Sequence, residues 1–151
     1  MLPLSFPEPN FSLRKLEEQP QIFDSIRKVW VKLTPEEWVR QNLIQLLIQS
    51  VQIPAAYLSV EKEIQVGNLK KRFDLLVYNR RHLPWMLIEC KSESVELSEQ
   101  TTAQLLSYHQ VIQSEYLIVC NGKNALGWQR NEAGWMPLLQ WPTLAHFEAT
   151  L

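Results

Sequence analysis

Two neighbouring stretches decide the fold: residues 72–78 read Arg-Phe-Asp-Leu-Leu-Val-Tyr, and residues 83–91 read Leu-Pro-Trp-Met-Leu-Ile-Glu-Cys-Lys. The polar residues between them predict a turn, so the two stretches are expected to form neighbouring strands. The second stretch is almost wholly apolar until its end, which is typical of a strand that is buried on both faces. It then finishes with Glu89 and Lys91, whose side chains point to one side of the strand while Cys90 points to the other.

These charged residues at the end of a buried strand indicate a site. A carboxylate and an ammonium group lose hydration there, which is costly unless they pair with each other or bind an ion. The neighbouring strand is expected to bring Asp74 alongside Glu89. Two carboxylates beside Lys91 are typical of a site for a hard divalent cation. The alternative from spacing alone is a salt-bridge network at the edge of the sheet, without a metal.

The order of these residues resembles a known signature. Asp74, followed fifteen positions later by Glu89-Cys90-Lys91, is similar to the motif of the PD-(D/E)xK nuclease superfamily. Phe73 stands where the name of the superfamily has proline, a position that carries no chemistry. The resemblance covers residues 22–125, which is most of the chain.

Two further segments extend the resemblance. Residues Gln104 to Tyr108 are similar to the QxxxY motif that follows the ExK strand in several branches of the superfamily. Residues 33–41, Leu-Thr-Pro-Glu-Glu-Trp-Val-Arg-Gln, resemble the opening helix of domains related to the N-terminal domain of type I restriction enzyme R subunits.

The resemblance implies metal-assisted hydrolysis of phosphodiester bonds. Asp74 and Glu89 would hold Mg²⁺, with Mn²⁺ as a substitute, helped by Glu36 and the backbone carbonyl of Cys90. Lys91 would orient the attacking water and offset charge that develops on the phosphate.

Other residues have supporting roles in the same scheme. Gln104 and Tyr108 would support the lysine or contact the nucleic-acid backbone. Five basic residues are candidates for contacts with phosphates: Lys70, Lys71, Arg72, Arg80 and Arg81. A solvated charged surface is the alternative for each of these clusters, and the formal net charge of −1 favours no particular partner.

The first helix is predicted to begin at Thr34, because threonine is a good N-cap and Pro35 suits the first helical position. Glu37 would complete a capping box with this threonine. The resemblance to the superfamily implies that an acid on this helix completes the metal site. Glu36 is spaced to share the buried face of the helix, so we select it for this role, with Glu37 as the fallback.

Apolar periodicity and turn residues in the rest of the sequence predict the order of the other elements. Residues 1–20 read as an N-terminal extension, and residues 21–151 as a single nuclease-like domain. Residues 22–33 are strand-like, with a bend near residues 24–25. The following elements are a helix at 34–49, strands at 57–66, 70–78 and 83–91, a helix at 98–113, a strand at 115–120 and a hairpin over 126–139. This α-β-β-β-α-β order predicts an α/β (α+β) fold, in which helices flank a mixed central sheet, and the superfamily core requires the same order.

Composition narrows the functional class. The chain has 151 residues, of which 46% are hydrophobic, and no apolar run approaches the roughly 20 residues of a membrane helix. Cys90 and Cys120 lie in apolar strands, so we expect core thiols in a reducing cytoplasm. A Walker A motif is absent, so the chain by itself cannot drive translocation along DNA.

Two functions therefore follow from the sequence. The first is a Mg²⁺-dependent endonuclease-like domain acting on DNA, in a homodimer or with partner subunits of a restriction or defence system. The second is a non-catalytic nucleic-acid-binding or assembly module that retains the nuclease fold. The sequence leaves open whether the substrate is duplex, single-stranded or branched, and whether it is DNA or RNA.

Overall fold

The computed structural model describes residues 1–109 and 112–150, and the side chains of Val66, Tyr108 and His109 lie outside this description. The N-terminal strands are β1 (Leu13–Leu16), β2 (Gln19–Asp24) and β3 (Val29–Lys32), and helix α1 (Pro35–Gln49) follows them. The next strands are β4 (Leu58–Val66), β5 (Leu69–Tyr78) and β6 (Pro84–Cys90). Helix α2 (Glu99–His109) precedes β7 (Tyr116–Cys120), β8 (Ala125–Asn131), β9 (Gly134–Pro137) and helix α3 (Leu144–Glu148).

The main sheet has six strands in the order β4-β5-β6-β7-β8-β9. Strands β6 and β7 are parallel because α2 carries the chain back across the sheet between them, and the other neighbours are antiparallel. The predicted fold class is therefore confirmed: the elements from α1 to β7 follow the α-β-β-β-α-β order and form a mixed sheet with helices.

Strand β6 is buried on both faces of this sheet, as its apolar sequence predicts. Met86, Ile88 and Cys90 belong to the apolar cluster that includes residues of α1, whereas Leu87 belongs to the cluster that includes residues of α2. Because alternate strand residues share a face, Glu89 lies on the same side as Leu87, towards α2.

The two predicted core thiols are confirmed as buried free cysteines. Cys90 and Cys120 are neighbours in the parallel pairing of β6 with β7. Burial raises the pKa of both thiols, so they remain protonated and serve as small apolar groups of the core.

The predicted start of the first helix is confirmed, but the predicted surroundings of its two acids are wrong. The Thr34 Oγ1 accepts a hydrogen bond of 3.0 Å from the backbone N–H of Glu37. The Glu37 carboxylate is buried and binds arginine side chains, so the predicted capping box is wrong. Glu36 is exposed, so its predicted place on the buried face is wrong as well. Glu37 instead shares a face with Arg40 and Gln41, three and four positions further along the helix.

The first three strands form a separate antiparallel sheet in the order β1-β2-β3. Residues 22–33 contribute parts of β2 and β3 with a turn between them, as their sequence predicts. Residue 20 lies within β2, so part of the segment read as an extension pairs within this sheet. Nearer the N-terminus, Leu2 donates a backbone hydrogen bond of 2.9 Å to Ala125 at the start of β8. Among the described residues, no helix has the length and apolar character needed to cross a membrane.

Candidate active site

An irregularity in β5 places Asp74 beside the end of β6. Residue pairing between β4 and β5 passes from Lys62–Phe73 to Val60–Leu75, without a pair at Asp74. Phe73 packs in the cluster on the α2 side and Leu75 in the cluster on the α1 side, so the usual alternation changes here. Local irregularities of this kind re-aim a side chain and are frequent next to active sites.

The Asp74 carboxylate joins the backbone of β6 to helix α1. Its Oδ2 accepts a hydrogen bond of 2.7 Å from the backbone N–H of Cys90. Its Oδ1 lies 3.6 Å from Nη1 of Arg40. Only 19% of the side chain is exposed, so these contacts hold the carboxylate at the sheet edge.

The buried carboxyl group of Glu89 is poorly satisfied by the protein around it. Burial raises its pKa to about 8, and the charge of Asp74 and a hydrogen bond with that carboxyl group act in the same direction. The charges of Lys71 and Lys91 oppose this increase. The Oε1 atom of Glu89 is buried and has no hydrogen-bond partner among the residues that the structure describes. A buried oxygen of this kind is costly unless a ligand or an ion satisfies it.

A small cavity brings several predicted residues together. Glu89, Lys91 and Gln104 line a space of about 40 Å³, together with Lys71, Thr101, Leu105 and Val119. This volume exceeds the roughly 10–15 Å³ that a single water requires. The cavity therefore has room for a water, an ion or a ligand oxygen beside Glu89 and both lysines.

The predicted partner of Gln104, Tyr108, lies in the last turn of α2. Its side chain falls outside the described part of the chain, so its predicted role stays a prediction.

Glu36 lies at the edge of this site. Partial burial raises its pKa, the charge of Asp74 raises it further, and the charges of Arg40 and Lys91 lower it. Glu36 also lines an open cleft of about 580 Å³ with Arg40, Ser92 and other residues. Its carboxylate is therefore within electrostatic range of both Asp74 and Lys91, although it is exposed.

The fallback acid, Glu37, is engaged elsewhere. Its Oε1 accepts hydrogen bonds from Arg40 at 2.7 Å and from Arg27 at 2.9 Å. Its Oε2 accepts from Arg40 at 2.8 Å and from Gln41 at 3.2 Å. These contacts outweigh burial and lower the pKa of Glu37. Both oxygens are therefore committed to the protein, which favours Glu36 over Glu37 as the acid near the site.

We call the buried group around Glu37 the ion-pair network; its members are Asp24, Arg27, Glu37, Arg40 and Gln41. It joins the β2–β3 turn to α1, and it reaches β4 because both arginines lie 3.3 Å from carboxylate oxygens of Glu61. The sequence offered one signal for it, the spacing of Glu37, Arg40 and Gln41 along one helix face, but sequence reasoning did not use this signal.

The oxygen atoms of this site fit a hard divalent cation. The Glu89 carboxyl group interacts with Asp74 and keeps one buried oxygen without a partner among the described residues. Carboxylates are the ligands that Mg²⁺ prefers. Among the described residues, no three aspartate, glutamate, histidine or cysteine side chains converge closely enough to hold one ion. Two direct carboxylate ligands match Mg²⁺, which usually keeps several waters and binds few protein carboxylates.

The five basic candidates for nucleic-acid contacts separate into two groups. Lys70 and Arg72 are exposed on β5 near Asp74, while Lys71 lies at the cavity. Arg80 and Arg81 are exposed in the turn between β5 and β6, beyond the other end of β5. At about 3.3 Å per residue, the extended chain from Arg72 to Arg80 spans roughly 25 Å. The two groups therefore cannot contact the same phosphate.

Comparisons with known proteins relate the chain to one family. A family model described as type I restriction enzyme R protein N terminus (HSDR_N) matches residues 35–140, a range that includes α1, Asp74, Glu89, Lys91 and Gln104. None of the curated proteins matches the chain. Among solved structures, it is similar to the fragment structure of a putative HsdR subunit of a type I restriction enzyme from Vibrio vulnificus YJ016, with 18% identity and a TM-score of 0.45. This similarity covers 61% of the present chain and 20% of that chain.

Proposed function

Because the chain belongs to the family of type I restriction enzyme R protein N termini, we propose that it is a metal-dependent nuclease domain that hydrolyses phosphodiester bonds in DNA. A restriction-related role follows from the family. The observation that supports nuclease chemistry is the Glu89 carboxyl group, which interacts with Asp74, shares a cavity with Lys91 and keeps a buried oxygen without a partner among the described residues.

The metal-binding part of the proposal rests on the two carboxylates. Asp74 and Glu89 would hold Mg²⁺ or Mn²⁺, together with the backbone carbonyl of Cys90, and Glu36 would act through an intervening water. When bound, the ion polarises a phosphoryl oxygen and lowers the pKa of a water. The hydrogen bond from the Cys90 N–H and the contact with Arg40 keep the Asp74 carboxylate in position for this role.

The chemical part of the proposal rests on Lys91. It follows the end of β6 and lines the cavity beside Glu89, where its ammonium group can donate to a water or to a phosphate oxygen. A fixed positive charge in a partly buried site stabilises the negative charge that develops in the transition state. Gln104 lines the same cavity from α2 and would restrict the position of that lysine.

The substrate and partners belong to the proposal too. DNA is the proposed substrate, exposed Lys70 and Arg72 supply phosphate contacts near the site, and a cytoplasmic restriction assembly supplies partner subunits. Such contacts contribute mainly to affinity and make it dependent on salt.

The decisive experiment is a cleavage assay on duplex, single-stranded and branched DNA and on RNA, with Mg²⁺, Mn²⁺ or EDTA. We expect Mg²⁺-dependent cleavage of at least one DNA form, and a loss of roughly 100- to 1,000-fold in Lys91→Ala, because a transition-state charge partner is removed. Mn²⁺ affinity should not fall, because the variant loses a positive charge beside Glu89 and no proposed metal ligand.

Lys15→Ala is the matched control, since Lys15 is exposed on β1 and lies outside the site. If the purified wild type cleaves none of these substrates but still binds DNA, the nuclease proposal fails and the non-catalytic module replaces it.

A further inference from the structure

The sheet formed by β1, β2 and β3 has one face that packs towards α1 and another that faces solvent. Ile22 and Asp24 are fully buried, and Asp24 accepts a hydrogen bond of 3.1 Å from Gln41 of α1, so they mark the inner face. Strand residues alternate between faces, and the pairing of the three strands therefore places the intervening positions together on the other side. We call that side the outer face; its members are Arg14, Leu16, Gln19, Gln21, Phe23, Trp30 and Lys32.

The charges on the outer face are all positive. Arg14 and Lys32 are both exposed, and no acidic residue occupies this face at the described strand positions. Arg14 pairs with Gln21 across β1 and β2, and Gln21 pairs with Lys32 across β2 and β3. These residues therefore form one row, in which the Cα atoms of Arg14 and Lys32 are roughly 10 Å apart. Two basic side chains at this spacing on one face suit a ligand that repeats its negative charge, such as a nucleic-acid backbone.

Arg14 is held in place on the outer face. Its guanidinium carbon lies 4.3 Å from the centroid of the Trp30 ring, and its Nε donates a hydrogen bond of 2.7 Å to Oε1 of Gln21. Phe23 packs edge-on against Trp30, with 5.4 Å between the ring centroids. Within the part of the chain that the structure describes, the two terminal amino groups of Arg14 have no acceptor. An oriented guanidinium with these groups available matches a phosphate, which it can bind through two hydrogen bonds.

The row leads to the candidate active site. Lys32 lines the open cleft of about 580 Å³ that Glu36 and Arg40 also line. Glu36 in turn lies within electrostatic range of Asp74 and Lys91. The outer face and the cleft therefore meet at Lys32, so a DNA strand that reaches the active site through the cleft can continue over Arg14. This continuity favours DNA over an acidic protein as the occupant of the face.

We propose that the outer face binds the phosphate backbone of DNA beside the active site, with Arg14 and Lys32 contacting different phosphates. Trp30 orients the Arg14 guanidinium, which covers one side of its ring. The three strands lie before residues 35–140, the range that the family model matches. The inference rests on the proposed nuclease function and adds a surface for its substrate.

Lys15 provides a matched control for Arg14. Arg14→Gln and Lys15→Gln each remove one positive charge from adjacent positions of β1, but only the first removes it from the outer face. Both side chains are exposed, so both variants should fold. Arg14→Lys keeps the charge and loses the planar group that Trp30 and Gln21 hold.

The first measurement is binding of labelled duplex and single-stranded DNA in EDTA, followed by fluorescence anisotropy over a range of salt concentrations. Arg14→Gln should weaken binding of the preferred form about five- to tenfold near 0.1 M salt, and the slope of log affinity against log salt should fall in magnitude by about one. Arg14→Gln combined with Lys32→Gln should lower that slope by about two. Lys15→Gln should stay within about twofold of the wild type, because screening weakens a charge that makes no contact.

Arg14→Lys separates charge from geometry. Its salt slope should stay near that of the wild type, because the number of positive charges is unchanged. Its affinity should fall about two- to threefold, because an ammonium group cannot bind a phosphate through the same pair of hydrogen bonds.

The second measurement is DNA cleavage by the same proteins. Arg14→Gln should raise KM about five- to tenfold and leave kcat within about twofold of the wild type, because a remote phosphate contact is the same in the ground state and the transition state. Lys91→Ala should instead lower kcat.

Two results would overturn the inference. One is equal affinity and equal salt dependence in Arg14→Gln and Lys15→Gln, and the other is a loss of turnover in Arg14→Gln at saturating DNA. If the wild type binds DNA but cleaves none, the nuclease proposal fails, and the binding comparison still decides the role of the outer face. A wild type that binds no DNA overturns both.

Discussion

Two groups of buried charges lie on either side of Asp74, and they differ in how their carboxylates are satisfied. In the ion-pair network, both oxygens of Glu37 and both oxygens of Asp24 accept hydrogen bonds from the protein. These bonds outweigh burial and lower the pKa of both acids. In the candidate active site, Glu89 keeps a buried oxygen without a partner among the described residues, and its pKa is raised.

The difference shows how similar residues serve structure or function. Buried carboxylates stabilise a fold only when the protein supplies enough donors, and otherwise they remain costly. The network receives its donors from Arg27, Arg40 and Gln41. Glu89 lacks a donor for one of its oxygens among the described residues, and the proposed Mg²⁺ would satisfy that oxygen. Arg40 connects the two groups because it binds Glu37 and also lies near Asp74.

The largest effect on stability is expected from breaking the ion-pair network. Glu37→Ala should lower the free energy of unfolding by about 3 kcal/mol, because it leaves buried Arg40 without its closest partner. Chemical denaturation monitored by tryptophan fluorescence measures this change.

Glu36→Ala is the control for that experiment, because it removes another carboxylate from the first turn of the same helix. Equal losses of stability in the two variants would show that the network contributes nothing beyond the helix-dipole effect of an acid at this end.

A smaller effect of the opposite sign is expected at the active site. In EDTA at pH 8, Glu89→Gln should raise the free energy of unfolding by about 1–2 kcal/mol, because a neutral amide replaces a poorly satisfied carboxylate. Mg²⁺ should stabilise the wild type by binding to the folded state, and the variant should lose this stabilisation.

The increase in the free energy of unfolding in Glu89→Gln should depend on pH, with a definite sign. The folded pKa of Glu89, about 8, exceeds its ordinary value of 4.5. Folding therefore favours the protonated form, and wild-type stability falls as the pH rises from about 4.5 through 8. The advantage of Glu89→Gln should thus be small at pH 5 and largest above pH 8. An advantage that is constant across this range would show that the carboxyl charge is not its cause.

The smallest effect on stability is expected for Glu36, which is exposed between the two groups. Glu36→Ala should change the free energy of unfolding by less than about 0.5 kcal/mol. Mn²⁺ affinity should nevertheless fall about three- to tenfold, because a negative charge near Asp74 is lost. Calorimetric titration gives this value, and unchanged affinity would remove Glu36 from the metal site.

The sequence by itself determined the order of the elements and the position of the site along the chain. Apolar continuity identified β6 as a strand buried on both faces, and Thr34 with Pro35 fixed the start of α1. These features depend on local periodicity and capping, which neighbouring residues impose. The spacing of Asp74 from Glu89 then placed two acids on adjacent strands.

The tertiary structure decided which side chains meet. Glu37, and not Glu36, is the buried acid of the first turn. Adjacent helix residues point in directions about 100° apart, and the partners that bury one of them come from distant segments. Arg27 reaches Glu37 from the β2–β3 turn. No local pattern contains that contact.

The same reason explains why Lys71 was not distinguished from Lys70 and Arg72. Three consecutive basic residues have the same chemistry in the sequence, and only the pairing of β5 and the packing of Phe73 turn one of them into the cavity. Charged residues that lie far apart in the sequence meet only where the strands place them beside one another. Which of them interact is therefore decided by the packing of the sheet and of the two helices that cover it.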